Sequence, residues 1–449
     1  MSANEPNTAR ARALVARGRE LERQRDYGGA EQAFRRAIGE DAAHAPAFAA
    51  LARVLERTNN LEGASAAADR AVELDPADDH ARLTRANLLR RAGDPAGARA
   101  EFERVLLKEA PGSVGEAVLA VAWNRYGLTL DALSDAERAM AAFERANDIR
   151  WSMPDAANID AAAPVRRLDA TRAFLTADRM SAWAATDGRA DAEPADPVFL
   201  AGFPRSGTTL TERILGAHPA AAILDERSPM RETILRAREL AGGTPYPDVF
   251  DQITPAQARE LRAHYWSGVA HRAGEGIQGR RLIDKVPLHL LDLAAIVRLF
   301  PRARVLMAIR DPRDVCVSAA MQLMVPNPAM ASLRTVEGAA RFYARVMGLW
   351  VGVRDRLPNP VLESRYEDLV ADPDAAARRL VAFVGLEWDD AVLEFHRGAR
   401  RAFIATPSFE AVAKPISGDA QGRWTRYARW VEPALPELQP FLDAWGYGG

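Results

Sequence analysis

The chain has 449 residues, 48% hydrophobic and 27% charged, which is ordinary globular usage with room for two or three cores and excludes disorder over most of its length. A formal net charge of -2 and a pI near 6.4 argue against a general nucleic-acid binder. The single cysteine, Cys316, permits no intrachain disulfide and points to a reducing compartment, so a cytoplasmic protein is expected.

The first residues, Met1-Ser2-Ala3-Asn4-Glu5-Pro6, have no basic stretch leading into an apolar one, so no signal peptide is expected. No apolar run approaches the ~18 residues of a membrane span. A repeated pattern follows. Ala30-x-x-x-Phe34-x-x-Ala37 returns 34 residues on as Ala64-x-x-x-Ala68-x-x-Ala71, then as Ala98-x-x-x-Phe102-x-x-Val105. A fourth copy, Ala139-x-x-x-Phe143-x-x-Ala146, comes after 41 residues, the extra ones lying near 110–119. A small residue precedes each copy at one fixed position: Gly18, Ala52, Ala86 and Gly127. Turn residues separate the halves: Arg25-Asp26-Tyr27, Asn59-Asn60-Leu61 and Gly93-Asp94-Pro95. Over residues 11–153 this resembles the tetratricopeptide repeat. Small residues let two helices approach closely, the Phe fills the next groove, and no unit buries its apolar face alone. The plainer reading, an Ala-rich helical bundle, does not explain the period. The resemblance implies an α-solenoid that presents a surface to a protein partner or props up a neighbouring domain.

Residues 163–184, with Val165, Leu168, Phe174 and Leu175 at helical spacing, read as one more helix capping the solenoid, for a first domain over 11–184. The polar stretch that follows, with Pro194 and Pro197, places a linker at 185–196 and a second domain at 197–449.

Val198-Phe199-Leu200-Ala201 reads as a buried strand, followed by Gly202-Phe203-Pro204-Arg205-Ser206-Gly207-Thr208-Thr209 and an amphipathic segment from Leu210 to Ala217. Strand, glycine-containing loop and helix together make an anion cradle. The pattern G-x-x-x-x-G-K-[ST] is met at Gly202, Gly207 and Thr209, with Thr208 where the lysine belongs. A nucleoside triphosphatase needs that lysine on the β- and γ-phosphates. A donor carrying one phosphate and one sulfuryl group has less charge to neutralise, and Arg205 with two hydroxyls suits it without a metal. The plainer reading is a loop–helix turn without a ligand.

A second apolar run, Arg304 to Ile309, ends in Arg310-Asp311-Pro312-Arg313-Asp314-Val315-Cys316-Val317-Ser318. Pro312 suits a first helical turn. Arg310 at the strand's carboxyl end and Ser318 one to two turns into the helix can reach an anion there. Alone, the segment reads equally as a helix start with charge pairing, and Cys316 as a small packing residue.

Together, P-R-S-G-T-T and R-D-P-R-x-x-x-x-S, about a hundred residues apart, resemble the sulfotransferases that use 3′-phosphoadenosine 5′-phosphosulfate. The resemblance covers about residues 197–432. It leans toward tyrosylprotein sulfotransferases and the bacterial proteins that join such a domain to tetratricopeptide repeats. It implies a three-layer α/β domain with a central parallel sheet, so the whole chain is α plus α/β. It further implies that Arg205, Ser206, Gly207, Thr208 and Thr209 hold the 5′-phosphosulfate, Arg310 and Ser318 the 3′-phosphate, and that Tyr366, in Ser364-Arg365-Tyr366-Glu367-Asp368-Leu369, lies near the nucleotide. Glu226, 21 residues after Arg205, is implied as the acceptor's general base. Lys285, in Leu282-Ile283-Asp284-Lys285-Val286-Pro287, is implied beside the transferring group. The family's late motif corresponds to Ser408, Lys414, Pro415, Arg423 and Trp424, with Ser408 stabilising the sulfuryl group and Lys414 and Arg423 toward the nucleotide. Of 59 basic residues only Lys108, Lys285 and Lys414 are lysines, and two of the three fall inside these motifs. Ser228 stands where the tyrosylprotein enzymes carry an acidic-peptide-contacting Arg, and Gln322 where they carry a basic residue.

Three functions stay open at this level: sulfuryl transfer to a hydroxyl, a P-loop kinase or triphosphatase, and a repeat scaffold with a non-catalytic nucleotide-binding domain. His289, four residues from Lys285, is a rival base. No histidines show metal-ligand spacing, so no metal is expected. The acceptor is open among peptide, glycan, lipid headgroup and small phenol.

Overall fold

The computed structural model describes residues 5–108, 114–185, 195–277, 279–395 and 418–448. The chain divides into two compact units, Met1–Asn158 with Met321–Pro326, and Ile159–Ala320 with Asn327–Gly449.

In the first unit the described residues form eight α-helices: Glu5–Arg23 (α1), Tyr27–Glu40 (α2), Ala45–Arg57 (α3), Leu61–Leu74 (α4), Asp79–Arg91 (α5), Pro95–Leu106 (α6), Glu116–Ala132 (α7) and Ala136–Trp151 (α8). They pack pairwise in chain order, α1 on α2 through α7 on α8. One turn recurs inside every pair. A residue with left-handed φ (Arg25, Asn59, Gly93, Ser134) comes first. Then Asp26, Asn60, Asp94 or Asp135 caps the next helix by accepting the N–H of Gly29, Gly63, Gly97 or Arg138. Every in-phase Ala, Phe and Val of the four copies is 0% exposed, as are Ala52 and Ala86. A Cβ on Gly18 would lie 2.4 Å from the Phe34 ring, and one on Gly127 would lie 2.6 Å from the Phe143 ring. The repeat expected from the 34-residue period is therefore present, and the close approach of paired helices accounts for these two glycines.

The second unit begins earlier than the sequence suggests. Residues 163–184 are not one helix capping the repeats. They form Ala163–Phe174 (α9) and Ala177–Ala185 (α10), and both belong to the second unit. The cause is a set of side chains with distant partners. Arg167 donates to the Leu291 carbonyl at 2.6 Å and to Asp292 at 2.7 Å, with its guanidinium 3.7 Å over the Tyr246 ring. Arg179 makes two bonds to Asp251, at 2.8 and 2.9 Å. Leu168, Phe174, Leu175, Met180 and Trp183 are buried. The division between units thus falls at Asn158/Ile159, ahead of the expected linker, most of which (186–194) lies outside the described residues.

The core of this unit is a parallel five-stranded sheet: Val198–Gly202 (β1), Ala221–Asp225 (β2), Arg281–Lys285 (β3), Arg304–Ile309 (β4) and Val361–Arg365 (β5), in the order β2-β3-β1-β4-β5. A central parallel strand must be apolar on both faces, and every residue of β1 is buried. Val198 and Leu200 pack with Leu210 and Ile214 of helix Thr208–Gly216 (α11) and with Leu380 and Val384 of helix Pro373–Val384. On the other face Phe199 meets Tyr265 and Phe300, with ring centroids 6.2 and 5.8 Å away. The result is the expected three-layer α/β domain. β1 leads toward β2 on one side while β4 leads to β5 on the other, so the carboxyl ends of β1 and β4 flank a topological switch point. Among the described residues no helix is long and apolar enough to cross a membrane.

Candidate active site

The loop after β1 has little freedom. Gly207 has φ 99°, and Arg205, with φ 77°, takes a left-handed backbone that a side chain disfavours. A Cβ on Gly202 would sit 2.5 Å from Ser206 Oγ and 2.9 Å from the Ala308 carbonyl, and one on Gly207 would sit 3.0 Å from the Tyr366 ring. The loop is thus pressed between β4 and Tyr366, and α11 opens at Thr208 with its first N–H groups at the loop. Ser206 Oγ is buried without a hydrogen-bond partner among the described residues. Such a group costs about 1–3 kcal/mol, a penalty that a bound oxyanion would remove.

Arginines converge on this loop. Arg205 Nε donates to Ser318 Oγ at 3.1 Å; Ser318 lies on helix Pro312–Ala320 (α12), which follows β4. Arg310 Nη1 reaches the Arg205 carbonyl at 3.5 Å, its Nη2 donates to the Ala420 carbonyl, and its guanidinium stacks 4.9 Å from the Tyr366 ring. Asp314, 3.5 Å from Arg310, accepts the backbone N–H groups of Gly422 and Trp424 at 2.8 and 2.9 Å and so fixes the segment carrying Arg423. Desolvation, with the charges of Arg310 and Arg423, pulls the Arg205 guanidinium down to about 10. Cations gathered at this cost have the charge to suit an anion of more than one charge.

A second cluster lies at the carboxyl ends of β2 and β3. Glu226, with φ 50°, donates its N–H to the Lys285 carbonyl at 2.8 Å, extending the ladder in which Asp225 pairs with Lys285. Lys285 Nζ stands 2.5 Å from Asp225 Oδ1, 3.0 Å from Glu226 Oε1 and 3.1 Å from Glu212 Oε2. Burial opposes its charge, but the three carboxylates outweigh burial and hold the ammonium well above the ordinary lysine range. Burial raises the Glu212 carboxyl, and Lys285 tempers the rise. Next in the strand, Asp284 is fully buried and accepts the hydroxyls of Ser228 at 2.6 Å and Tyr265 at 2.7 Å.

Arg205, Ser206, Gly207, Thr208, Arg310, Ser318, Tyr366 and Arg423 therefore meet at the loop after β1, with Thr209 half-buried beside them on α11. Glu226 and Lys285 meet at the adjoining strand ends. Ser408 and Lys414 lie outside the described residues. His289 does not fit the rival role: its ring is buried, Nε2 lies 3.1 Å from the Asp284 carbonyl, and it meets Phe199 edge-on. Sequence reasoning missed Glu212, Asp225 and Asp314. A signal did exist for Glu212, which falls four residues after Thr208 and hence on the same helix face.

Residues 197–390 match the sulfotransferase family, and the tetratricopeptide repeat is matched at residues 15–79, 49–114 and 83–154. The chain joins tetratricopeptide repeats to a sulfotransferase-family domain. The sulfotransferase domain accounts for the parallel sheet, and the repeats for the paired helices. Protein-tyrosine sulfotransferase A of Caenorhabditis elegans is 25% identical over 273 residues, 56% of this chain and 67% of that one. A protein of Aquifex aeolicus (strain VF5), described only as uncharacterized, is 29% identical over 252 residues, 54% of this chain. The chain spans 32% of that relative's length. Among solved structures, the sulfotransferase domain from the Synechococcus PCC 7002 olefin synthase is 23% identical, covering 56% of this chain and 96% of that one with a TM-score of 0.38.

Proposed function

We propose that the sulfotransferase domain takes its sulfuryl group from 3′-phosphoadenosine 5′-phosphosulfate and delivers it to an acceptor hydroxyl, with Glu226 as general base. The observation that carries this reading is the convergence of Arg205, Arg310 and Arg423 beside Ser318 and the Ser206 hydroxyl, which has no hydrogen-bond partner among the described residues, next to the Lys285–Glu226 pair. The residues fit the donor. The loop from Gly202 to Thr209 suits the 5′ end, Arg310 and Ser318 the 3′-phosphate, and Tyr366 the nucleotide, with Arg423 as a further contact; Ser408 and Lys414, outside the described residues, are proposed on the family resemblance alone.

When bound, the donor supplies an activated sulfuryl group. Arg205 and the loop N–H groups hold its oxygens in place. Glu226, its carboxylate 54% exposed, accepts the acceptor's proton as the acceptor oxygen bonds to sulfur and the sulfur–phosphate oxygen bond breaks. Lys285, and in this reading Ser408, meet the charge that grows on the sulfuryl and bridging oxygens. The acceptor is a hydroxyl on a peptide, glycan or small molecule. Ser228 turns inward to Asp284, which leaves that position without a contact for an acidic peptide. The repeats are the part of the chain suited to a protein partner.

A thermal-shift titration tests the reading. Adenosine 3′,5′-bisphosphate should stabilise the protein without Mg²⁺, by about 2.7 kcal/mol at a hundred times its Kd, and ATP should not. Transfer of sulfur label to a hydroxyl acceptor should follow. Stabilisation by Mg²⁺-ATP alone would favour a kinase, and binding without transfer a scaffold.

A further inference from the structure

We infer that Glu212 is a positioning residue: it anchors the Lys285 ammonium to the helix that opens at the phosphate loop, and so keeps Glu226 available to take a proton. The inference rests on the proposed function for its consequence, but its geometry stands apart from it.

Three carboxylates lie within 3.1 Å of Lys285 Nζ; Glu226 Oε1 accepts its hydrogen bond at 3.0 Å, and Asp225 and Glu212 pair with it by charge. They are not equivalent. The side chains of Asp225 and Glu226 are 44% and 54% exposed, so water reaches both, although the Asp225 Oδ1 that faces the ammonium is itself covered. Glu212 is 8% exposed and Lys285 2%. A buried ammonium needs a buried partner, because an exposed one leaves much of its desolvation uncompensated. Of the three, Glu212 is the partner whose whole side chain is buried, although Asp225 stands nearer.

Connectivity adds the second argument. Glu212 lies on α11, four residues beyond Thr208, so one rigid helix carries both the loop that would hold the phosphosulfate and the carboxylate that holds Lys285. The distance from loop to ammonium is then set by a helix and not by flexible segments. Without Glu212 the ammonium has, among the described residues, Asp225 at the end of β2 and Glu226 just after it to settle upon. It would move away from α11 and pair more tightly with the base that must accept a proton.

The chain's three lysines make the idea directly readable. In protein labelled with ¹⁵N at lysine Nζ, the Lys285 ammonium, assigned with Lys285→Arg, should exchange its protons slowly at neutral pH. Glu212→Gln should speed that exchange at least tenfold, whereas Asp225→Asn should change it less than threefold. Should Glu212→Gln fail to fold, Glu212→Asp keeps the charge, shortens the reach and should show the same acceleration. An unchanged ammonium in the Glu212 variants, or equal acceleration in Asp225→Asn, overturns the inference. Glu212→Gln should also slow sulfate release from labelled donor to water at least tenfold while leaving the Kd for adenosine 3′,5′-bisphosphate within threefold. Unslowed release would overturn the catalytic consequence. Failure of even the wild type to bind the bisphosphate would overturn the proposed function and leave the lysine result standing.

Discussion

Arg205 Nε donates to Ser318 Oγ at 3.1 Å, joining the loop after β1 to the helix after β4. Arg310 strengthens the joint by reaching the Arg205 carbonyl, and Asp314 brings in the segment carrying Arg423. Two motifs a hundred residues apart thus meet in one cluster of cations and hydroxyls astride the switch point of the sheet. A ligand that satisfies both halves must carry negative groups at two places.

That requirement gives the first prediction. Arg310→Ala should weaken adenosine 3′,5′-bisphosphate far more than adenosine 5′-phosphate, because only the former has a 3′-phosphate. A charge-assisted hydrogen bond is worth about 1.5–3 kcal/mol, so a loss of roughly ten- to a hundredfold is expected by calorimetry. Equal losses for the two ligands would remove Arg310 from its assigned place.

Glu226→Gln should leave donor affinity within a few-fold and lower turnover by about 10²–10⁴, because the amide keeps the shape but cannot take a proton. Binding and label transfer measured on the same preparation separate the two effects. A variant that loses donor binding together with turnover would make Glu226 a structural partner of Lys285. His289 is not expected to stand in for it, enclosed as it is by Asp284 and Phe199.

The parts of this architecture that were legible in sequence are those written in contiguous residues. The 34-residue period, the glycine loop and the apolar runs of β1 and β4 each carry their meaning locally. The helical spacing of Leu168, Phe174 and Leu175 shows that a face is buried but not against what. Its destination depended on Arg167 meeting Tyr246 and Asp292, which no local pattern announces. Glu212 and Asp225 look like ordinary solvated carboxylates until the pairing of β2 with β3 brings Lys285 between them. Sheet order decides that proximity, and sheet order is long-range information.

Stability should carry a pH signature from His289. Burial alone would lower its pKa, but the charge and hydrogen bonding of Asp284 prevail and hold it above the ordinary value of 6.5. A histidine raised in the folded state contributes stability that is complete below its unfolded pKa and fades as pH climbs through the folded one. Urea denaturation of wild type and His289→Gln should therefore differ most at pH below 6.5 and converge as pH rises above it. A gap that widens with pH would mean that the folded ring is neutral.

In the repeats, Gly18→Ala sets two effects against each other. Replacing a helical glycine by alanine gains about 1 kcal/mol. The new Cβ would stand 2.4 Å from the ring of Phe34, which is 0% exposed, and overpacking a filled core costs about 1–3 kcal/mol. The second effect should win. The repeats should melt earlier, by circular dichroism, with donor binding unchanged. A higher melting temperature would show that the Phe34 ring gives way freely.

The unit boundary at Ile159 yields the last prediction, which concerns whether the repeats recruit the acceptor. The obvious deletion begins at Asp191, in the polar stretch. It would strip α9 and α10, and with them the buried side chains of Leu168, Phe174, Leu175, Met180 and Trp183. At about 1.5–3 kcal/mol each, their burial is worth of order 10 kcal/mol before entropy is counted, comparable with the whole stability of a domain. The bonds from Arg167 to Asp292 and from Arg179 to Asp251 go as well. A chain beginning at Asp191 should therefore be insoluble or unfolded, for reasons unrelated to the repeats. A chain beginning at Ile159 keeps these contacts. It should melt cooperatively, be stabilised by adenosine 3′,5′-bisphosphate as the full chain is, and sulfate a small phenol. If the repeats recruit a polymeric acceptor, its KM on that acceptor should rise while kcat on the phenol stays level. An unchanged KM would leave the repeats without a part in acceptor binding, and equal stability of the two fragments would show that α9 and α10 do not belong to the catalytic unit's core.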